Sequence, residues 1–347
     1  MMIVFALAAA IWGIGYVAEV ARATRLVLIV IVLVAVILLH LVLPDGHPIR
    51  EATGQEPFLW IFIIASGFLV WGYSYLLSRV KAHARLQAVE EPDSSETDAP
   101  FSARELERYA RHIVLREIGG AGQKALKDAS VLVVGAGGLG APALQYLAAA
   151  GVGTLGVVDD DVVDNSNLQR QVIHTDARIG LAKVQSATQA IAALNPYVTV
   201  KPYERRLTRE IAADLIGEYD LVLDGTDNFD TRSLVNEACA QTGTTLIAAA
   251  LTQWEGQISI YDPAHGTPCY QCIFPERPDP ALVPSCAEGG VLGPLPGVIG
   301  SMMAVEAVKA LTGAGEGLRG RMLIYDALYA ETRIIAMKPR ADCPICG

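Results

Sequence analysis

Ten consecutive residues constrain this chain more than any others: Val131-Leu132-Val133-Val134-Gly135-Ala136-Gly137-Gly138-Leu139-Gly140. Four apolar residues, three of them β-branched, run straight into a cluster of glycines. The pattern predicts a buried parallel strand, a tight turn and a helix over residues 141–150. Gly135 permits the turn, Gly137 lets a phosphate approach the backbone, and Gly140 lets the helix pack on the strand. Gly138 belongs to the same turn, whose amides face an anion at the helix start. A second apolar strand, residues 155–158, ends in Asp159, 19 residues beyond Gly140. An acid at that distance is where a ribose is bound. The expected fold is a Rossmann-like, mostly parallel α/β sheet with flanking helices.

The N-terminal quarter is of a different character. Mean hydropathy is +0.35, high for a soluble protein, and the excess lies in three apolar runs at about 1–20, 26–43 and 58–77. The last two are 18 and 20 residues long without Asp, Glu, Lys or Arg, the length a helix needs to cross hydrocarbon. The first is interrupted only by Glu19. A cleaved signal peptide is its rival, but the run lacks a basic leader and a convincing cleavage site. Residues 1–85 therefore read as an all-α transmembrane region of three spans. Arg22 and Arg25 follow the first span, and Arg79, Lys81 and Arg85 follow the third. The positive-inside rule puts both groups in the cytoplasm, with the N-terminus and the 44–57 loop outside. A multi-pass protein of the cytoplasmic (inner) membrane is expected, with its catalytic part in the cytoplasm.

Residues 86–100 are acidic, contain Ser and Pro and hold few large apolar side chains, as a linker would. The α/β unit occupies 101–347. Residues 1–85 carry 6 Lys and Arg against 4 Asp and Glu, leaving 21 bases and 33 acids for the rest. That acidity argues against nucleic acid as a partner.

Along the α/β unit, residues 102–115 have helical spacing, with Ser102 and Glu105 placed as a capping box. Arg104, Arg108, Arg111, His112 and Arg116 cluster there, and a solvated helix face is the plainer account of them. Asp159-Asp160-Asp161 is followed by Asn165-Ser166-Asn167-Leu168-Gln169-Arg170-Gln171. A guanidinium in such a loop fits phosphate oxygens. Lys183 stands at the start of the next helix, where the dipole disfavours a cation, so ligand contact is suspected. Strands are expected near 197–203, 220–223, 244–250 and 257–261, with a final one at 321–326. Helices are expected near 210–217, 231–241 and 298–311. Asp227 follows the 220–223 strand and is a candidate Mg²⁺ ligand on nucleotide phosphates. It could equally cap the helix that follows.

Six cysteines divide three ways. Cys269 with Cys272 and Cys343 with Cys346 form two CxxC pairs about seventy residues apart, the four thiolates of a structural Zn²⁺ site. A cytoplasmic setting disfavours disulfides. Such a site leaves no open coordination position and would staple the C-terminal tail to the sheet. Cys239 reads as a core residue. Cys286, in a loop flanked by Pro and Gly, is a candidate nucleophile.

A glycine turn and a ribose acid alone would suit a dehydrogenase. The turn lacks the Lys-Ser/Thr of a P-loop, so a triphosphate needs cations from elsewhere. Arg170, Lys183 and Mg²⁺ at Asp227 would supply them. That set suits attack of a carboxylate on the α-phosphate of ATP, where catalysis consists of alignment and charge neutralisation.

RYARHIVL (108–115), GAGGLG (135–140), VVDDD (157–161), NLQRQ (167–171), GLAKV (180–184), GTDN (225–228), CYQC, SCAEGGVLGPLPGVIG (285–300) and CPIC occur in order. Together they resemble the MoeB/ThiF/HesA family, bacterial relatives of ubiquitin-activating enzymes, over residues 101–347. The resemblance implies a homodimeric adenylyltransferase acting on the C-terminal glycine of a MoaD- or ThiS-like sulfur carrier, for molybdopterin, thiamine or related synthesis. It implies that Asp159 holds the ATP ribose, that Arg170 and Lys183 hold phosphates with Asn167 a cofactor-binding residue of the same phosphate loop, that Asp227 holds Mg²⁺, and that Arg111 reaches the ATP of the other subunit. Cys286 matches a loop cysteine that joins sulfur chemistry in some members. No rhodanese domain follows Cys346, so a separate sulfur donor protein is expected. The membrane block has no counterpart in that family pattern.

Three rivals stand beside this reading. A membrane-tethered NAD-dependent oxidoreductase explains the glycine turn and Asp159 but not Arg170, Lys183, Asp227 or the cysteine pairs. A tRNA-modifying dehydratase belongs to another branch of the superfamily, from which the paired CxxC motifs, the NLQRQ wording and the acidity point away. A non-catalytic adaptor would have no need of the intact charged set.

Overall fold

The computed structural model describes residues 2–54, 57–90, 100–276 and 289–347. The chain divides into two compact units, Met1–Asp98 and Ala99–Gly347.

The first unit is helical: α1 (Met2–Val17), α2 (Arg22–Val42), α3 (Pro48–Thr53) and α4 (Pro57–Glu90). α2 packs against α1 and α4, and Val4, Val36 and Trp60 form the seam. The short α3 interrupts what the sequence read as a plain loop. Pro48 opens it, and the His47 imidazole caps it by accepting the Ile49 N–H. The Trp60 indole donates to Thr53 O at 3.1 Å, tying α3 to α4. Outward-facing residues such as Ile31, Leu38, Phe62 and Leu69 are exposed, the reverse of a bundle built for water. Arg22–Val42 and Trp60–Leu77 are long and apolar enough to cross a membrane, whereas α1 is a shorter apolar helix. α4 continues to Glu90, so the first residues of the expected linker are helical; 91–99 lie outside the described residues.

The second unit opens with α5 (Ala103–Ile113) and α6 (Gly119–Asp128). The expected capping box is formed, with Ser102 and Glu105 bonded reciprocally. An eight-stranded sheet follows, built from β1 (Ser130–Val134), β2 (Thr154–Val158), β3 (Thr199–Tyr203), β4 (Leu221–Asp224), β5 (Thr245–Leu251), β6 (Glu255–Tyr261), β7 (Arg321–Asp326) and β8 (Glu331–Ala336). Its order is β3-β2-β1-β4-β5-β6-β7-β8. The pairings from β3 through β5 are parallel, and those from β5 to β8 are antiparallel. The helices are α7 (Gly140–Ala150), α8 (Lys183–Leu194), α9 (Arg209–Ile216), α10 (Phe229–Thr242), α11 (Tyr270–Ile273) and α12 (Pro294–Thr312).

Alternation along β1 explains the layering. Val131 and Val133 enter one core with Leu144 and Leu147 of α7, Val184 of α8 and Ile299 of α12. Leu132 and Val134 enter the other with Ile216 of α9 and Val235 of α10. Strands buried on both faces in this way must be apolar throughout. α12 is long and apolar enough to pass for a membrane span, yet it packs on α7, β5 and β6 and buries Ile299, Met303 and Ala307. β8 lies beyond the strand read as the last. Every residue of it is exposed, so it lacks the burial that made the other strands legible.

Candidate nucleotide site and cysteine knuckle

The glycine turn lies where the strand order reverses, between β1 and its neighbours β2 and β4, the position at which such sheets bind ligands. Gly135 has φ +93°, a conformation that a side chain would strain, and its N–H donates to Val158 O at 2.8 Å. A Cβ on Gly140 would lie 1.8 Å from Gly135 O, with Val133 farther off at 3.5 Å. The close pass is therefore of the turn against itself, more than of helix on strand as expected. Around Gly137 a Cβ would meet only the Gln171 amide, at 3.6 Å, whereas Gly138 abuts Pro296 and the Arg170 stem. Arg170 thus reaches the glycine turn. Its guanidinium donates to Asn167 Oδ1 at 2.9 Å and to Ser166 O at 3.2 Å.

Asp159 closes the other side. Its Oδ2 accepts the Ala136 N–H at 2.7 Å and its Oδ1 accepts the Asp161 N–H at 2.8 Å. Burial raises its carboxyl above the usual carboxylate range; the Lys183 cation and the two amides recover only part of that shift. Lys183 is the first residue of α8 and is 5% exposed. Its Nζ sits 2.7 Å from Asp161 Oδ2. The cation, out of place at a helix start, is held there by Asp161.

Asp227 is exposed at the end of β4. It does not cap α10: Asn228 does, its Oδ1 accepting the Thr231 N–H at 2.8 Å. Asp224 and Arg232 escaped the sequence reading. The buried Asp224 carboxylate accepts the Thr226 N–H and hydroxyl at 2.9 and 2.7 Å. The buried Arg232 donates to Thr226 O and, at 2.6 Å, to Ala249 O. Together they fix the loop that carries Asp227. A lone acid closing an apolar strand was the signal for Asp224; a single Arg within a helix gave none.

Arg111 projects from α5 into solvent and has no partner among the described residues. Its helix is anchored by Tyr109, whose hydroxyl accepts from Asn195 Nδ2 at 2.8 Å, and by the Glu105–Lys127 pair at 2.6 Å. Nothing in the described contacts brings Arg111 to the glycine turn of its own chain. Cys286 lies outside the described residues. Cys239 is buried in α10, where burial pushes its thiol up.

The two CxxC pairs meet. Cys269 Sγ lies 3.6 Å from Cys343 Sγ and 3.9 Å from Cys272 Sγ, and Cys272 Sγ lies 3.4 Å from Cys346 Sγ. All four sulfurs fall within 4.8 Å of one another. A tetrahedron with metal–sulfur bonds of about 2.3 Å spaces its sulfurs by about 3.8 Å, which this set fits. The Arg340 N–H points at Cys272 Sγ from 3.4 Å. Burial raises the Cys343 thiol, but the amides of Ile345 and Cys346 and the neighbouring thiols bring it down to about 7.

A doubly wound sheet with a glycine turn, an acid after its second strand and a buried lysine at the order reversal defines a nucleotide-binding α/β unit, here closed by a four-cysteine knuckle. Within that class the chain belongs to the ThiF family, whose model matches residues 109–345. It is 49% identical over 251 residues to a sulfur carrier protein adenylyltransferase of Thermus thermophilus, covering 71% of this chain and 93% of that one. It is 49% identical over 247 residues to a SAMP-activating enzyme E1 of Haloferax volcanii, covering 71% and 91%. A probable adenylyltransferase/sulfurtransferase MoeZ of Mycobacterium tuberculosis is 50% identical over 256 residues, 73% of this chain but 65% of that longer one. Among solved structures, E. coli MccB with AMPCPP and MccA aligns at TM-score 0.61 and 22% identity, covering 69% and 74%. PaaA aligns at TM-score 0.60 and 22% identity, covering 86% and 88%. These two share the fold.

Proposed function

We propose that this protein adenylylates the C-terminal glycine of a ubiquitin-like sulfur carrier of the MoaD or ThiS type, using ATP. The carrier carboxylate attacks the α-phosphorus, a new P–O bond forms, and the bond to the β-phosphate oxygen breaks to release pyrophosphate. A carboxylate is already ionised near neutral pH, so the protein's task is alignment and charge neutralisation. The observation that carries the reading is the linked set of Ala136, Asp159, Asp161 and Lys183 at the order reversal, in a chain half identical to a protein named for this reaction.

Asp159 is the ribose acceptor. The glycine turn (Gly135, Gly137, Gly138, Gly140) receives the phosphates, with Asn167, Arg170 and Lys183 around them. The exposed Asp227 is the carboxylate for Mg²⁺, which supplies charge neutralisation when bound. Arg111 points outward from a firmly anchored helix, which supports a homodimer in which it serves the other copy's nucleotide. The sulfur spacing supports a structural Zn²⁺ on Cys269, Cys272, Cys343 and Cys346. Cys286 is a candidate for later sulfur chemistry, with sulfur brought by a separate protein. α2 and residues 60–77 of α4, with α1 beside them, support anchoring in the cytoplasmic (inner) membrane with the catalytic unit in the cytoplasm. Molybdopterin and thiamine synthesis are the candidate pathways.

The test is mass spectrometry of each host ubiquitin-like carrier after incubation with the protein and Mg-ATP. An AMP adduct on one carrier's terminal glycine is expected. No adduct on any carrier, with ATP bound, would overturn the proposal.

A further inference from the structure

His174 belongs to no motif used above. It is 5% exposed and sits between the glycine turn and α8. Its Nε2 lies 2.9 Å from Ala136 O, and its Nδ1 lies 2.9 Å from Ser186 Oγ, a fully buried hydroxyl one turn after Lys183. A carbonyl oxygen only accepts, so Nε2 carries the hydrogen. Nδ1 is then bare and accepts from the Ser186 hydroxyl. Burial pushes the imidazole below its ordinary range, in keeping with this neutral form; the bond to Ala136 opposes that shift in part.

The consequence lies in one peptide plane. Ala136 O and Gly137 N–H belong to the same trans peptide and point in opposite directions. Holding the oxygen fixes the direction of the N–H. Gly137 follows this peptide, and with no Cβ it would resist a flip least of any residue. Its N–H donates to nothing among the described residues, and a Cβ there would meet only the Gln171 amide. The other end of Ala136 is held as well, by Asp159.

We propose that His174 is a positioning residue that locks the Ala136–Gly137 peptide so that the Gly137 N–H faces a nucleotide phosphate. Bonds run from Ala136 through Asp159 and Asp161 to Lys183, and Ser186, one helical turn on, leads back to Ala136 through the imidazole. The imidazole acts on the oxygen side of this peptide, while Asp159 keeps its own bonds to the Ala136 and Asp161 amides. The proposal rests on the reading of this turn as an ATP site and is silent about the carrier.

The test uses the full-length protein in detergent, binding ATP and, separately, adenosine, with no carrier present. His174→Phe keeps an aromatic ring but removes the donor. One amide bond to a charged phosphate corresponds to about tenfold or more in affinity. ATP should therefore weaken at least that much while adenosine holds within about threefold. His174→Gln restores an N–H donor and should bind ATP within about threefold of the parent. Ser186→Ala, which removes the hydroxyl that holds the Nδ1 side of the ring, should weaken ATP selectively in the same direction and serves if the Phe variant does not fold. Equal losses of ATP and adenosine, or unchanged ATP binding in both His174→Phe and Ser186→Ala, would overturn the proposal. Because binding is read without a carrier, failure to adenylylate any carrier would leave this result standing.

Discussion

Lys183 offers a prediction in which stability and activity separate. Its side chain is 6% exposed, while that of its partner Asp161 is 67% exposed. Burying an ammonium is unfavourable by several kcal/mol, and a partner still largely in water returns little more than that. Lys183→Met keeps the apolar stem, removes the desolvation together with the pairing, and leaves Asp161 free to hydrate. The change in folding stability should be about 1 kcal/mol or less, a melting shift within about 4 °C for a unit of this size. Catalysis should respond differently. Removing a preorganised charge from a phosphoryl-transfer site lowers turnover by about 100- to 1000-fold, roughly 3–4 kcal/mol. The reverse variant, Asp161→Ala, leaves the ammonium buried without its ion-pair partner and should destabilise by about 2–3 kcal/mol. Thermal denaturation of both variants, with carrier-dependent ATP–pyrophosphate exchange per folded molecule, checks the asymmetry. A Lys183→Met protein that melts much lower yet exchanges normally would refute the assignment and make the lysine a purely structural residue.

The other predictions concern separate parts of the catalytic unit. Asp227→Ala should abolish exchange with no loss of stability, whereas Asn228→Ala removes the α10 cap and should lower stability by about 1 kcal/mol; melting curves of the pair distinguish the roles. Burial alone would raise the Asp262 carboxyl, but bonds from His265, Arg319 and Thr245 more than offset this and hold it below the ordinary range. Its folded value is the lower one, so its contribution is complete above about pH 4 and is lost as pH falls through the depressed value; an acid titration of Asp262→Asn should show a shallower loss there. A thiophilic chelator should release one Zn²⁺ per chain by colorimetric titration and expose the four thiols to alkylation, with the strongest proteolytic sensitisation after residue 337. Cys286→Ala should leave the adenylylation rate unchanged in the same exchange assay, because the acyl-adenylate forms without a thiol.

What could be read from the sequence followed burial. β1 and β4 are apolar because both their faces are covered, and the glycines are short-range necessities of one turn, so both stood out. β8 carries Glu331, Thr332 and Arg333 beside Ile334 and Ile335 and buries none of them, so pairing with β7 alone makes it a strand. The capping box at Ser102 was legible because its two residues are three apart. The cap of α10 was not, because Asp227 and Asn228 are adjacent and both suit the role; Asn228, with extended backbone, makes the bond. Lys183 was noticed as an anomaly and is explained by an acid 22 residues away. Arg232 and His174 could not be found, because each acts on backbone oxygens from elements distant in the chain, and a carbonyl acceptor leaves no trace in residue identity.

The position of β4 between β1 and β5 bears on how the chain is made. Val131 of β1 pairs with Leu221, 90 residues further on, whereas β5–β6 and β7–β8 close as hairpins over a few residues. During synthesis β1 and β2 exist for a long interval with one edge of β1 unsatisfied, and parallel pairings over such separations form slowly. That interval is when the apolar β1 is most open to wrong partners. Because the loops that flank the glycine turn come from both β1 and β4, the ability to bind nucleotide arrives only when these two strands have met. Nucleotide affinity in a nascent or truncated chain is therefore a direct measure of whether its central strand pair has formed.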